Sequence, residues 1–193
     1  MAKGRARSRR LSAFMLLSLD GYYADRHGDM SFAHKSPDDA EWNEFLGSNA
    51  SGDAVLLFGR TTYDMMVAWW PTPMAAQAMP TVAAGMNAAP KVVFSRSMKK
   101  AAWNNTVVER DLVAAVRQMK GESGPDMVIL GSGSIVTQLA EAGLMDEIQV
   151  VVCPVALGGG KAFLGGLGQR LDLSVTRTRV FANGSVAIWY APA

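Results

Sequence analysis

The chain has 193 residues, 49% of them hydrophobic and 19% charged, with a single cysteine, Cys153. That composition is globular and rich enough in apolar side chains to bury a core, which excludes a disordered chain, a coiled coil and a collagen-like repeat. One cysteine excludes an internal disulfide framework and fits a reducing, cytoplasmic setting.

No apolar run approaches the roughly 20 residues that span a bilayer, so no membrane association is expected. The formal charge is +2, yet Lys3, Arg5, Arg7, Arg9 and Arg10 all fall in the first ten residues with no acid among them. The rest of the chain holds 14 bases against 17 acids, a net charge of −3. Residues 1–10 therefore read as a disordered basic tail, a leader or cloning remnant, ahead of one domain over 11–193. A nucleic-acid-binding arm is the alternative reading of that tail; the expectation is no nucleic-acid partner. The apolar stretch at 14–17 is broken by Ser18 and Asp20, and no small-residue cleavage site follows, which excludes a secretory signal.

Taken in chain order, residues 11–19 read as a buried strand ended by the turn signal Asp20-Gly21. Residues 22–35 are irregular and hold both histidines. Ser36-Pro37-Asp38-Asp39 starts a helix with acids at its positive end, continuing over 40–49. Residues 54–58 form a short apolar strand, and a short helix follows to about Val67. The stretch 68–90 reads as loop plus a helix near 81–87. Residues 91–95 are a strand, and Val107-Val108 a short one. Residues 111–120 form an amphipathic helix stopped by Gly121. A strand at 126–130, a helix at 135–142 closed by Gly143, and a strand at 147–155 follow. Residues 157–161 are a flexible loop. Residues 171–181 and 185–190, joined by Asn183-Gly184, make a β-hairpin. Alternating strands and helices with a closing antiparallel pair predict an α/β fold: a mixed, mostly parallel sheet flanked by helices, with a C-terminal hairpin.

Three turns at the C-terminal ends of these strands suit an anion. Gly131-Ser132-Gly133-Ser134-Ile135 links a strand to a helix through glycines, which lets a backbone approach a phosphate at a helix start. The dinucleotide fingerprint is incomplete, because Val136 occupies its third glycine position. A plain strand-to-helix turn is the other reading. Gly59-Arg60-Thr61-Thr62 repeats the arrangement, with a solvated arginine and a Thr cap as its ordinary explanation. Ser95-Arg96-Ser97 follows a third strand. Ligands of open α/β sheets bind along that edge, and two arginines with hydroxyls there suit a 2′-phosphate, hence NADP over NAD.

Other chemistries lack their residues. His27 and His34 with one cysteine make no metal-ligand pattern, so no metal is expected. There is no zinc-deaminase set, no nucleophile elbow, and no P-loop, since Gly159-Gly160-Lys161 is followed by Ala162. Cys153, before Pro154 in a buried strand, reads as an inert core thiol. The methionines and Trp69-Trp70 read as core or pocket filler, which puts Trp70 on the substrate side. Asp38, Asp39, Glu41 and Glu44 form a solvated helix face, or one of them turns inward as a substrate-facing acid.

Ser18-Leu19-Asp20-Gly21, the segment Leu57 to Tyr63, Val93-Phe94-Ser95-Arg96, Ile129 to Gly133, and Pro154 to Gly160 occur in that order. Together they resemble the dihydrofolate reductase-like superfamily, and within it the stand-alone reductase domain of the riboflavin-biosynthesis deaminase-reductase. The resemblance covers nearly all of residues 11–190. It implies NADPH as cofactor and a homodimer. It places Gly59, Arg60, Thr61 and Thr62 on the cofactor phosphates, Ser95 and Arg96 on the 2′-phosphate, and Gly131, Ser132, Gly133, Ser134 and Ile135 on the pyrophosphate. Leu16, Ser18 and Asp20 would edge the nicotinamide and substrate, with Asp20, Asp39 and Glu41 as candidate catalytic acids. Ser132 is an insertion in the family's usual Gly-Gly pair, and its side chain must point away from the cofactor. The function expected is NADPH-dependent reduction of a small heterocycle, pyrimidine-like or pterin-like. The alternative is a non-catalytic nucleotide-binding module with a degenerate substrate site.

Overall fold

In a computed structural model, which describes residues 8–36, 38–50 and 53–193, the apolar segments assemble into one eight-stranded sheet. The central strands are β1 (Leu11–Ser18), β3 (Val55–Gly59), β4 (Lys91–Phe94), β6 (Met127–Leu130) and β7 (Glu147–Cys153). With β5 (Thr106–Glu109), β9 (Leu173–Val180) and β10 (Val186–Pro192) they are ordered β5-β4-β3-β6-β1-β7-β10-β9. Every pairing from β5 to β7 is parallel, and β10 runs antiparallel to both β7 and β9. This is the expected mixed, mostly parallel sheet with a terminal hairpin.

Two elements differ from expectation. Residues 68–90 hold two helices, α3 (Pro73–Ala78) and α4 (Pro80–Ala88), not one. Each starts on a proline, where the missing N–H costs nothing, and Thr72 caps α3 by accepting from the Ala75 N–H at 3.2 Å. A short antiparallel ribbon, β2 (Tyr22–Ala24) with β8 (Lys161–Ala162), lies in segments expected to be irregular. Strands of three and two residues carry no periodicity to read.

The sheet is covered on both faces, and β1 shows why. Leu11, Ala13, Met15 and Leu17 alternate into a core with Ile129, Val136, Leu139 and Val150. Phe14 and Leu16 point the other way, towards α1 (Ala40–Ala50). There Trp42, Phe45, Phe181 and Trp189 form an aromatic cluster, with Phe45 and Phe181 ring centroids 4.7 Å apart. This cluster fixes α1 to the β9–β10 hairpin. A third cluster, including Phe58, Tyr63, Met86, Val93 and Trp103, packs α4 and α2 (Arg60–Trp69) on the same sheet. Lys91 is buried beside it. Its Nζ donates to the Asn87, Ala89 and Asn104 carbonyls and sits 4.5 Å from the Trp103 ring, so it closes the C-terminal end of α4. Burial pushes this ammonium down to about 8.

Of the expected disordered tail, residues 1–7 lie outside the described residues. Residues 8–10 are hydrogen-bonded to the rest of the chain. Arg9 is buried, donating from Nε to the Pro125 carbonyl at 2.5 Å and from Nη1 to the Met119 carbonyl at 3.4 Å. The Arg10 N–H donates to Asp126 Oδ1 at 2.8 Å. The carbonyls at the end of α5 (Leu112–Gly121) attract the cation, as helix C-termini do. Arg9→Ala is therefore expected to lower stability by about 1.5–3 kcal/mol, the range for hydrogen bonds that involve a charged group. Urea titration checks this, and an unchanged midpoint contradicts it.

Candidate functional site

β4, β3 and β6 are neighbours and run parallel, so their C-terminal ends open onto one edge of the sheet. That edge carries a cleft of about 1080 Å³. Three turns form its floor. Gly59 is the N-cap of α2, and Ser132 the N-cap of α6 (Gly133–Glu141). Neither helix start is closed by its own cap side chain. The Ile135 N–H already donates to the Ser132 carbonyl at 3.1 Å; the N–H groups before it in α6, like those opening α2, lie at the positive end of a helix dipole.

The two starts are joined. The Gly59 N–H donates to Ser132 Oγ at 3.0 Å, and Thr62 Oγ1 donates to the Gly131 carbonyl at 3.4 Å. The inserted serine therefore turns its hydroxyl onto the neighbouring strand end, and it is buried there. Gly131 has φ 66°, which an L side chain rarely adopts. Gly133 has no room for one: an added Cβ would lie 2.6 Å from Tyr23 Cε1. The Tyr23 ring thus packs directly on the first residue of α6, and burial pushes its phenol pKa up.

The third turn follows β4. Ser95 Oγ accepts the Met98 N–H at 3.1 Å, and this bond shapes the turn that exposes Arg96. Arg110, next in sequence after β5, donates from Nη1 to the Arg96 carbonyl. Charges around the cleft are mostly positive: Arg60, Arg96, Arg110 and Lys161. Arg60 is paired with Asp64 at 2.6 Å. Asp111, the carboxylate among the lining residues, caps α5 by accepting the Ala114 N–H at 3.0 Å.

All eleven residues expected to hold a cofactor, at 59–62, 95–96 and 131–135, border this one cleft. Tyr23, Met30, Arg110, Asp111 and Lys161 border it too and were missed. Lys161 was visible only as part of a failed P-loop, and Arg110 only as the residue after a weak strand.

The six residues expected on the catalytic and substrate side are not in its lining. Asp20 is a staple: it accepts Ser18 Oγ–H at 2.6 Å, the Leu157 N–H at 3.1 Å and the Gly158 N–H at 2.7 Å. These bonds, the serine's foremost, hold its carboxyl down to about 2, so it has no proton to give near neutral pH. Ser18 is buried, and its Oγ also accepts the Tyr22 N–H at 3.0 Å. Asp39 caps α1 through the Trp42 N–H at 3.0 Å and accepts from Asn183 Nδ2 at 2.8 Å, which lowers its pKa. Glu41 pairs with Arg179 at 3.0 Å. Both acids thus tie α1 to the terminal hairpin. Leu16 packs with the aromatic cluster under α1. Trp70 packs against the core near Phe58 and donates to Met66 Sδ at 3.1 Å. These bonds and contacts give Asp20, Asp39, Glu41, Ser18 and Trp70 structural partners outside the cleft lining.

Among the described residues no His, Cys, Asp and Glu cluster could hold a metal, and no helix is long and apolar enough to cross a membrane.

The family model of the RibD C-terminal domain matches residues 9–187. The uncharacterized protein YyaP of Bacillus subtilis (strain 168) is 26% identical over 184 residues, covering 95% of either chain. A crystal structure from Shewanella sp. PV-4, attributed to riboflavin biosynthesis, superimposes with a TM-score of 0.69 at 21% identity, over 95% of this chain and 99% of that one. The Thermotoga maritima diaminohydroxyphosphoribosylaminopyrimidine deaminase/5-amino-6-(5-phosphoribosylamino)uracil reductase gives a TM-score of 0.67 at 12% identity, over 96% of this chain and 57% of that one. At these identities the solved structures establish a shared dihydrofolate reductase-like fold.

Gly133→Ala is expected to destabilise the protein by about 1–3 kcal/mol through overpacking against Tyr23. In the Tyr23→Ala background the same change should be nearly neutral; equal penalties in both backgrounds contradict the packing. Asp20 contributes stability that is present above its ordinary value of 3.8 and is lost as pH falls towards about 2. Asp20→Asn should flatten the acid limb of the stability curve between about pH 4 and 2. An unaltered limb contradicts the staple.

Proposed function

Because the chain belongs to the RibD C-terminal domain family, we propose that it is an NADPH-dependent reductase of a small heterocycle from the riboflavin pathway. The observation that carries the reading is the meeting of two helix starts and two arginine-bearing strand ends on one cleft.

The residues fit the cofactor. The left-handed backbone at Gly131, and N–H groups at the starts of α2 and α6, suit a pyrophosphate. Arg96 at the cleft's border suits the 2′-phosphate of the adenosine ribose. NADPH, when bound, supplies a hydride. The chain's task is to orient the two reactants, and Ser132, by fixing the Gly59 turn to the start of α6, holds the floor on which that orientation depends.

The substrate we propose is a pyrimidine of the kind named for the Thermotoga maritima relative, an aminouracil carrying a sugar phosphate. The pterin alternative loses ground, because Asp39, which caps α1, and Glu41 in its first turn are held in structural bonds. A homodimer acting in the cytoplasm belongs to the same proposal and is supported by the family likeness.

NADPH oxidation with a panel of ribosylated or ribitylated aminopyrimidines and pterins tests the reading. Turnover of a pyrimidine is expected; tight NADPH binding without turnover on any of them favours the non-catalytic module. Arg96→Ala should weaken NADPH by about 1.5–3 kcal/mol, the scale of a charge-assisted contact, and leave NADH nearly unaffected. Equal loss for both cofactors contradicts the 2′-phosphate assignment.

A further inference from the structure

β4 and β5 end side by side, with Phe94 paired to Glu109 and the Ser95 N–H donating to the Glu109 carbonyl at 2.9 Å. The ladder therefore delivers Arg96 and Arg110 to the same corner of the cleft, one just beyond each strand. Both side chains are exposed. Arg110 Nη1 donates to the Arg96 carbonyl, so it braces the backbone of the turn that presents Arg96. A guanidinium has five N–H donors, and this bond uses one of them. The adjacent carboxylate, Asp111, accepts from the Ala114 N–H as a helix cap, and among the described residues no ion pair joins it to Arg110. Arg60 differs, since its guanidinium pairs with Asp64 on its own helix.

We infer that Arg110 determines cofactor specificity at this corner: it positions the Arg96 turn and adds a second guanidinium to the clamp for a ribose 2′-phosphate. The inference rests on the NADPH reading above. A phosphate dianion takes up two forks with more bonds than one can offer, and a lysine supplies a point charge without the fork. Arg110 thus acts on the 2′-phosphate in two ways, through its own donors and through the fixed carbonyl of Arg96.

The test is a set of equilibrium titrations with NADPH, NADH and 2′,5′-ADP on the wild type, Arg96→Ala, Arg110→Ala and Arg110→Lys. Arg110→Ala is expected to weaken NADPH and 2′,5′-ADP about tenfold or more and NADH less than about twofold. Arg110→Lys should fall between wild type and Arg110→Ala, because it keeps the charge and loses the fork. The double variant Arg96→Ala/Arg110→Ala should lose less than the product of the single losses, because one residue acts partly through the other. If the wild type prefers NADPH and Arg110→Ala keeps both its thermal midpoint and that preference, the inference is overturned and the function stands. Should Arg110→Ala fail to fold, Arg110→Lys with an unaltered NADPH to NADH ratio overturns it equally. A wild type indifferent to the 2′-phosphate overturns both readings.

Discussion

The bond from the Gly59 N–H to Ser132 Oγ, 3.0 Å long, is the constraint on which the cleft depends. It ties the end of β3 to the end of β6, so that α2 and α6, which pack on opposite faces of the sheet, start at the same edge. A parallel sheet alone does not guarantee this. The register aligns the strands, but the first turn of each helix is fixed only if the connecting backbone is fixed. Ser132 does this while buried, taking up the Gly59 N–H, and the N–H groups that open α2 and α6 beyond it face the same edge.

A second economy is the use of acids. Asp20, Asp39 and Glu41 look chemical in the sequence because they sit near a strand end or a helix start. In the fold they hold backbone. Asp20 anchors the loop at 157–158 to the end of β1, and Asp39 and Glu41 clamp α1 to the hairpin over the aromatic cluster of Phe45 and Phe181. With the acids so engaged and Asp111 serving as a helix cap, the cleft keeps a positive border. A mildly acidic domain thereby presents a basic site.

The long apolar runs made the sheet legible, because β1, β3, β4, β6 and β7 are buried strands bounded by glycine or polar turns. The order of anion-suited turns was legible for the same reason: each follows its strand directly, and parallel strands put their ends together. What the sequence hid was pairing between distant segments. The β2–β8 ribbon is set by tertiary contacts such as the Phe163 N–H to the Gly21 carbonyl at 2.9 Å, not by local pattern. Arg9 looked like one more charge in a basic run, because its acceptors, Pro125 and Met119, lie more than a hundred residues away. Arg110 was invisible as a site residue because its importance comes from the β4–β5 register.

If the two stitched helix starts form the anion-binding floor, backbone amide chemical shifts followed through an NADPH titration will change most at residues 60–62 and 133–135, with a second group at 95–97. Changes confined to other segments, such as α1 and the β9–β10 hairpin, with those amides unmoved, would contradict it.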